Sequence, residues 1–335
     1  MLRYALRRML LLIPVLVGLS LLVFAVARLL PGDPVRLAAG PNATETEIKS
    51  LAAEYGLDRP LPAQYLSYAA GLLKGDWGTS IYTRRPVLED LRVYLPATLE
   101  LVIAAMLLAI LIGIPAGLLA AAQRDRWPDY VSRVFSLGAI SMPRFFLGLL
   151  LQLGFAMWLG WLPLGGRFPL TEDAPAAVTG FLTLDSLIAG DLHAFGTALQ
   201  YLALPAFAMC LSPLATITRM MRASTLEVLQ QDYVLTARAL GLSPRLILFK
   251  YVAKNAISAT LTIIGLYFGW LLGGTVLVET VFDWPGIGLY ATKAIVTQDF
   301  MPVIGVTLSI GIIFVSVNLV VDLLYGVINP KVRYE

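Results

Sequence analysis

Six stretches of this chain stay apolar for about 20 residues or more, the length that crosses a bilayer as a helix, at 10–30, 98–122, 132–158, 200–219, 257–279 and 303–324. Inside hydrocarbon a segment has no water for its N–H and C=O groups, so it must satisfy them itself, and a helix is the only isolated segment that can. The blocks are continuous rather than striped, which excludes the amphipathic helices of a soluble bundle. Only 14% of the chain is charged, against roughly a quarter in soluble domains, and the mean hydropathy is +0.77. The expected fold class is an all-α polytopic membrane protein with six transmembrane helices. The net charge of +3 reflects basic residues in the loops and does not argue for a nucleic-acid partner. The single cysteine, Cys210, lies inside an apolar block, so no internal disulfide can form. The first block follows Arg3, Arg7 and Arg8, and Ala25-Val-Ala27 offers small residues at cleavage spacing. It is nonetheless longer than the 7–15 residues usual for a signal-peptide core, and is read as a retained span.

Basic residues orient the spans. A cytoplasmic start gathers Arg3, Arg7, Arg8, Arg124, Arg126, Arg133, Lys331 and Arg333 on one side, together with Arg219, Arg222, Arg238, Arg245, Lys250 and Lys254. Segments 1–9, 220–256 and 325–335 are then cytoplasmic, both termini included, and 31–97, 159–199 and 280–302 lie outside. The 31–97 segment holds seven basic residues, but long loops weigh little in this rule. Within it Thr44-Glu-Thr-Glu47 fits a capping box, with Gly56 as the stop of the helix it opens. Pro31-Gly-Asp-Pro34 and Gly75-Asp-Trp-Gly-Thr-Ser80 are turn-rich. Both long outer segments read as small folded caps.

Enzymatic signatures are absent: no phosphate-binding loop, no zinc-protease or serine-hydrolase motif, no cysteine cluster, and one histidine, His193, in an expected outer loop. No catalytic, cofactor or metal site is expected, and an intramembrane enzyme is disfavoured. Arg28, Glu100, Arg219, Glu279 and Asp322 fall near span ends, within reach of the interface. The shortage of interior carboxylates counts against a proton-driven carrier. Arg144, beside the helix-kinking Pro143, is the exception. Either it lines a polar cavity and meets a negative group on cargo, or it sits near an interface or in a structural pair.

Between the fourth and fifth spans lies a polar stretch that reads as helix, tight turn, helix, from Asp232 to Val252. Gly241 suits the left-handed position that ends a helix, Ser243 the next N-cap, and Pro244 the first helical position. Leu229, Tyr233, Ala237 and Leu240 are expected on one face of the first helix, and Leu246, Phe249 and Lys250 on the second. Such anchors suit helix-in-groove docking on a protein. The competing reading is a helix lying on the lipid surface, although a sharp reversal gains nothing there.

This stretch resembles the cytoplasmic coupling loop of permease subunits in ATP-binding-cassette importers. Asp232, Tyr233, Thr236, Ala237, Arg238, Gly241, Ser243 and Pro244 match its spacing, and Lys254-Asn255-Ala256 is similar to the peptide/nickel branch. Leu235 replaces the glutamate of the general pattern, and Ala253-Lys254 its later Leu-Pro. Gly56-Leu-Asp-Arg-Pro60, Glu279-Thr-Val-Phe-Asp-Trp-Pro-Gly-Ile-Gly288 and Asp322-Leu-Leu-Tyr-Gly-Val-Ile-Asn-Pro330 also resemble that branch, so the likeness runs end to end. It is nearest to the first permease of dipeptide and oligopeptide importers. The resemblance implies a type I importer permease fold in the inner membrane. It further implies a second similar permease, two cytoplasmic ATPases that carry ATP and Mg, an external substrate-binding protein, and surrounding lipid. The cargo would be a peptide, or alternatively a nickel chelate or another small solute. A stand-alone channel or secondary carrier is the alternative of a different class.

Overall fold

The computed structural model describes residues 2–29, 43–54 and 58–328. These form α1 (Leu2–Leu29), α2 (Glu45–Glu54), α3 (Leu61–Lys74), α4 (Val87–Ala122), α5 (Trp127–Ser141), α6 (Arg144–Trp158) and α7 (Leu182–Ile188). They continue as α8 (Leu192–Val228), α9 (Asp232–Ala239), α10 (Pro244–Gly273), α11 (Val276–Val281), α12 (Ile287–Val296) and α13 (Phe300–Ile328). Among the described residues there is no strand, only an isolated bridge between Thr79 and Pro86. The Pro31–Pro34 turn, Gly56, Pro330, Lys331 and Arg333 lie outside the described residues, as do the side chains of Arg3, Arg7, Arg8, Arg28 and Asp322.

By length and composition α4, α8 and α10 can each cross a membrane, as can the Phe300–Val321 part of α13, and the bent pair α5–α6 makes a fifth crossing if taken as one. In α1 the described apolar run is Ile13–Ala25. The chain is thus a multi-pass helical membrane protein, with a different division from six uniform spans. α4 begins at Val87 and α8 runs from Leu192 to Val228, both well beyond the apolar blocks. Polar flanking residues continue a helix whose backbone bonds are already in register. Arg219 and Arg222, expected in a loop, therefore sit on α8, and so does His193.

The third span departs most from expectation. Rather than one kinked helix over 132–158, α5 and α6 meet at 102° across Met142 and Pro143. Pro143 offers no N–H and pushes the residue before it out of the helical region. Met142 is accordingly extended (φ −91°, ψ 124°), and Pro143 becomes the N-cap residue of α6.

The core is the seam between α4 and α8, which pack along much of their length. It is built of small side chains: Ala97, Ala105, Ala109, Ala206 and Ala208 are buried, as is Cys210. In lipid, helix association rests on close packing rather than on apolar burial, and small residues let backbones approach. A Cβ at Gly117 would come 2.6 Å from Thr218 O and 2.7 Å from Met221 Cβ. α10 packs against both α4 and α8, α13 packs against α4 and α10, and α1 lies on α13 through Leu19, Val23, Ile304 and Leu308. Leu107, Leu111, Ile112 and Leu119 of α4 face outward, as lipid contact requires.

The capping box at the start of α2 forms as expected. Thr44 N donates to Glu47 Oε2 at 2.8 Å and Glu47 N to Thr44 Oγ1 at 3.3 Å. The Thr44 N–H, then its hydroxyl, hold the Glu47 carboxyl below its ordinary value.

Replacing Gly117 with Val forces α4 and α8 apart. Overpacking of this kind costs about 1–3 kcal/mol, so G117V should lower the thermal unfolding temperature in detergent. An unchanged temperature would mean that the seam is looser than its geometry indicates.

Candidate functional site

The helical knob is set by local sequence. α9 ends in a Schellman turn: Gly241 N donates to Arg238 O at 2.9 Å, and Leu242 N to Ala237 O at 3.2 Å. Gly241 sits at φ +73° with nothing within 4 Å of a would-be Cβ, so conformation rather than space requires glycine here. Ser243 is extended and caps α10, accepting from Leu246 N at 3.4 Å, with Pro244 at the first helical position. Val234 and Ala237 of α9 are buried against Ile247 and Val252, with Leu242 and Leu248 alongside. Asn255 Nδ2 donates to Tyr233 Oη at 2.8 Å, a second tie between α9 and α10.

One expectation fails. Leu229 lies in the turn before α9, and the proposed shared face is split, because Ala237 points inward while Tyr233 and Leu240 are exposed. α9 needs its inner face for its own core, since the knob is too short to be stable otherwise. Asp232, Leu235, Thr236 and Ala239 fall on the outer side at helical spacing, and all four are exposed. On α10, Leu246 and Phe249 are exposed as expected.

The knob is rigidly framed. α8 enters it without interruption from Leu192, and α10 leaves it as one helical run to Gly273, through a π-helical segment at Ile247–Val252. Next to it, Arg222 grips the fully buried Asp129 of α5 with two guanidinium nitrogens, Nε at 2.5 Å and Nη2 at 2.9 Å, in a bidentate pair. This clamp fixes the α4–α5 turn to α8.

Arg144 opens α6 at the helix break and is half-buried. Its guanidinium lies by the α10 C-cap, 2.8 Å from where a Cβ on Gly274 would stand, and close to Tyr267. Tyr267 and Thr216 hydroxyls share a hydrogen bond of 2.8 Å. Among the described residues, no carboxylate lies within ion-pair distance of Arg144. The negative end of the α10 dipole partly offsets its charge.

Glu100 and Glu279, which the sequence places within reach of an interface, are in fact buried in polar networks. Glu100 is 4% exposed: its Oε1 accepts from Thr183 N and Oγ1, both at 2.7 Å, and its Oε2 pairs with Arg167. Arg167 also donates to Gly180 O at 2.6 Å. Asp185 then holds the same cap; burial pushes its carboxyl up, but hydrogen bonds from Thr179 and Gly180 outweigh that and leave it lowered. Glu279 is fully buried, accepting from Thr98 Oγ1 at 2.6 Å and Leu289 N at 2.9 Å. A Cβ at Gly286 would collide with its carboxylate, which explains a glycine in that segment. Trp284 Nε1 donates to Ala97 O at 3.0 Å. Gln152 of α6 ties two other segments with its amide, donating to Leu164 O at 2.7 Å and Val281 O at 2.9 Å. The available signal was a polar or charged residue at the edge of an apolar block. Among the described residues no cluster of metal-ligating side chains forms.

Comparison with known proteins bears on the whole chain. Residues 113–334 match the model of a family described as "Binding-protein-dependent transport system inner membrane component", and residues 1–102 match its N-terminal companion. A probable D,D-dipeptide transport system permease of Escherichia coli K12 is 44% identical over 321 residues, 96% of this chain and 94% of that protein. A dipeptide transport system permease of Alkalihalophilus pseudofirmus is 42% identical over 334 residues, 100% of both chains. A glutathione transport system permease of Escherichia coli K12 is 38% identical over 335 residues, again 100% of both.

Replacing Arg167 with Met would leave Glu100 buried without its countercharge. Breaking one side of such a pair costs about 3–5 kcal/mol. R167M should therefore expose the 159–199 cap to limited proteolysis, and the R167M/E100Q pair should recover part of the protection. Full protection in R167M alone would show that the pair does not hold the cap.

Proposed function

Because the chain belongs to the family of binding-protein-dependent transport system inner membrane components, we propose that it forms half of a path for di- and oligopeptides across the bacterial inner membrane. It is a permease rather than an enzyme. ATP and Mg are expected on two separate cytoplasmic ATPases, and the other half of the path on a second, similar permease. The observation that carries this reading is the knob: a short helix locked by its own core and framed by two long continuous helices, α8 and α10. A protein that hydrolysed ATP itself would have no need of it.

With the knob cytoplasmic, both termini are cytoplasmic and the caps at 31–97 and 159–199 face an external substrate-binding protein. Asp232 and Thr236 offer the outer face of α9 to a groove on an ATPase. Tyr233, Ala237 and Arg238 hold and flank that face, and Gly241, Ser243 and Pro244 set its angle. ATPase closure would push the knob, and α10, a single helical run through its π-helical segment, would carry that displacement to the break at Pro143, since its C-terminus underlies Arg144. Arg144 would meet the carboxylate of a passing peptide. Peptide cargo draws support from relatives named for dipeptide and glutathione transport.

Gly241→Val puts a β-branched residue at φ +73°, a strain of about 1–3 kcal/mol. The variant should reach the membrane yet fail to co-purify with the ATPases and fail to take up peptide. Normal recruitment and uptake would end the docking reading. Uptake by proteoliposomes containing this chain alone would instead favour a stand-alone carrier. Arg144→Gln removes one charged hydrogen bond, so uptake of peptides with a free terminal carboxylate should fall roughly tenfold or more, and uptake of amidated peptides less. Unchanged uptake and unchanged preference would assign Arg144 a structural role.

A further inference from the structure

Beside the outer face of α9 lies an open cleft of about 530 Å³. Its walls are Leu229, Leu242, Leu248 and Ala122, and its two charges are Arg238 and Arg245. Both arginines are exposed, and among the described residues neither has a carboxylate partner. We propose that this cleft binds the headgroup and upper chain of an anionic phospholipid.

Three observations support that occupant. First, Ala122 ends the apolar block of α4, so one wall of the cleft stands where a span gives way to polar chain, and Pro244 and Arg245 open the helical run that becomes the spanning part of α10. This step rests on reading the knob as lying at the cytoplasmic surface. Second, the chemistry is mixed. Free phosphate would leave the leucine walls uncovered, and a neutral lipid would leave two cations unmet; basic pockets between spanning helices suit anionic headgroups. Third, Arg245 stands in the first turn of α10, where the helix dipole is positive and a cation is disfavoured. A bound anion reverses that penalty and meets the free Arg245 N–H as well. Helical spacing turns Arg238 to the flank of α9, away from Asp232 and Thr236, so one helix serves ATPase and lipid on different sides.

The test uses the intact complex, purified with its partner permease and ATPases and exchanged from phosphatidylglycerol into phosphatidylcholine nanodiscs. Native mass spectrometry counts the phosphatidylglycerol retained and, in the same spectra, the ATPases bound. The wild type should keep bound phosphatidylglycerol. Arg245→Gln should lose it roughly tenfold faster or more completely with its ATPases still present, and Arg245→Lys should keep part of it. Arg124→Gln, which alters a paired surface arginine, should retain lipid like the wild type. Equal retention in wild type and Arg245→Gln overturns the proposal. Loss of ATPase with lipid retained also overturns it and assigns the cleft to the ATPase interface.

Discussion

Everything in this chain depends on one constraint: inside a bilayer a backbone amide has nowhere to bond except to its own segment. That is why the spans are helices and no strand occurs among the described residues; α4, α8 and α10 run beyond the apolar blocks because a helix already in register propagates into polar flanks. It also gives meaning to the places where the helix does not continue. The break at Met142–Pro143 frees backbone groups at the start of α6, and the π-helical segments at Gln152–Trp158 and Ile247–Val252 shift the bonding register. Such interruptions recur where structure is used. Here the first lies beside Arg144, the second carries Gln152, which ties α6 to two other segments, and the third joins the knob to its spanning helix.

The same economy governs the charges. Glu100, Asp129 and Glu279 are almost wholly buried, and each is surrounded by donors from elements distant in sequence. Each fastens something that packing alone would leave loose: the 159–199 cap by Glu100, the α4–α5 turn by Asp129, the segment after α11 by Glu279. A buried charge is weak as a source of stability but strong as a specifier of geometry, because breaking one partner is far more costly than the pair is favourable. In a protein whose helix seams rely on van der Waals contact between alanines and glycines, such fasteners fix helix ends that small side chains cannot.

What could be read in the sequence separates cleanly from what could not. The knob's turn was legible because its causes are local: Gly241, Ser243 and Pro244 act on bonds within a few residues, and the Schellman pair and N-cap formed where those residue types require them. The capping box at Thr44 and Glu47 was legible for the same reason. By contrast, Glu100 and Arg167 stand 67 positions apart, Asp129 and Arg222 93, and Thr98 and Glu279 181. One sequence holds no information about which distant residues meet, so Glu100 and Glu279 looked like residues near an interface, and Asp129 drew no reading at all. The third span was half legible. Pro143 announced a disruption, but its size depends on what each half packs against: α5 clamped through Asp129 to α8, α6 held through Gln152 to the loop after it and to α11.

Among the described residues Arg144 differs from Arg167 and Arg222, and the difference is one of economy. Where this chain places a charge for structure it surrounds it: Arg222 receives both oxygens of Asp129, and Arg167 receives Glu100, the Gly180 carbonyl and the face of Trp284. Arg144 receives only the end of a helix dipole and the neighbourhood of Tyr267. A guanidinium has five donors in a rigid fork, and leaving them unmet at that depth is expensive. The same sequence that solved this problem at Arg167 and Arg222 had the means to solve it here and did not. In the proposed path, a cation whose hydrogen bonds are completed only when an anion arrives would be favourable enough to admit a carboxylate and incomplete enough to release it.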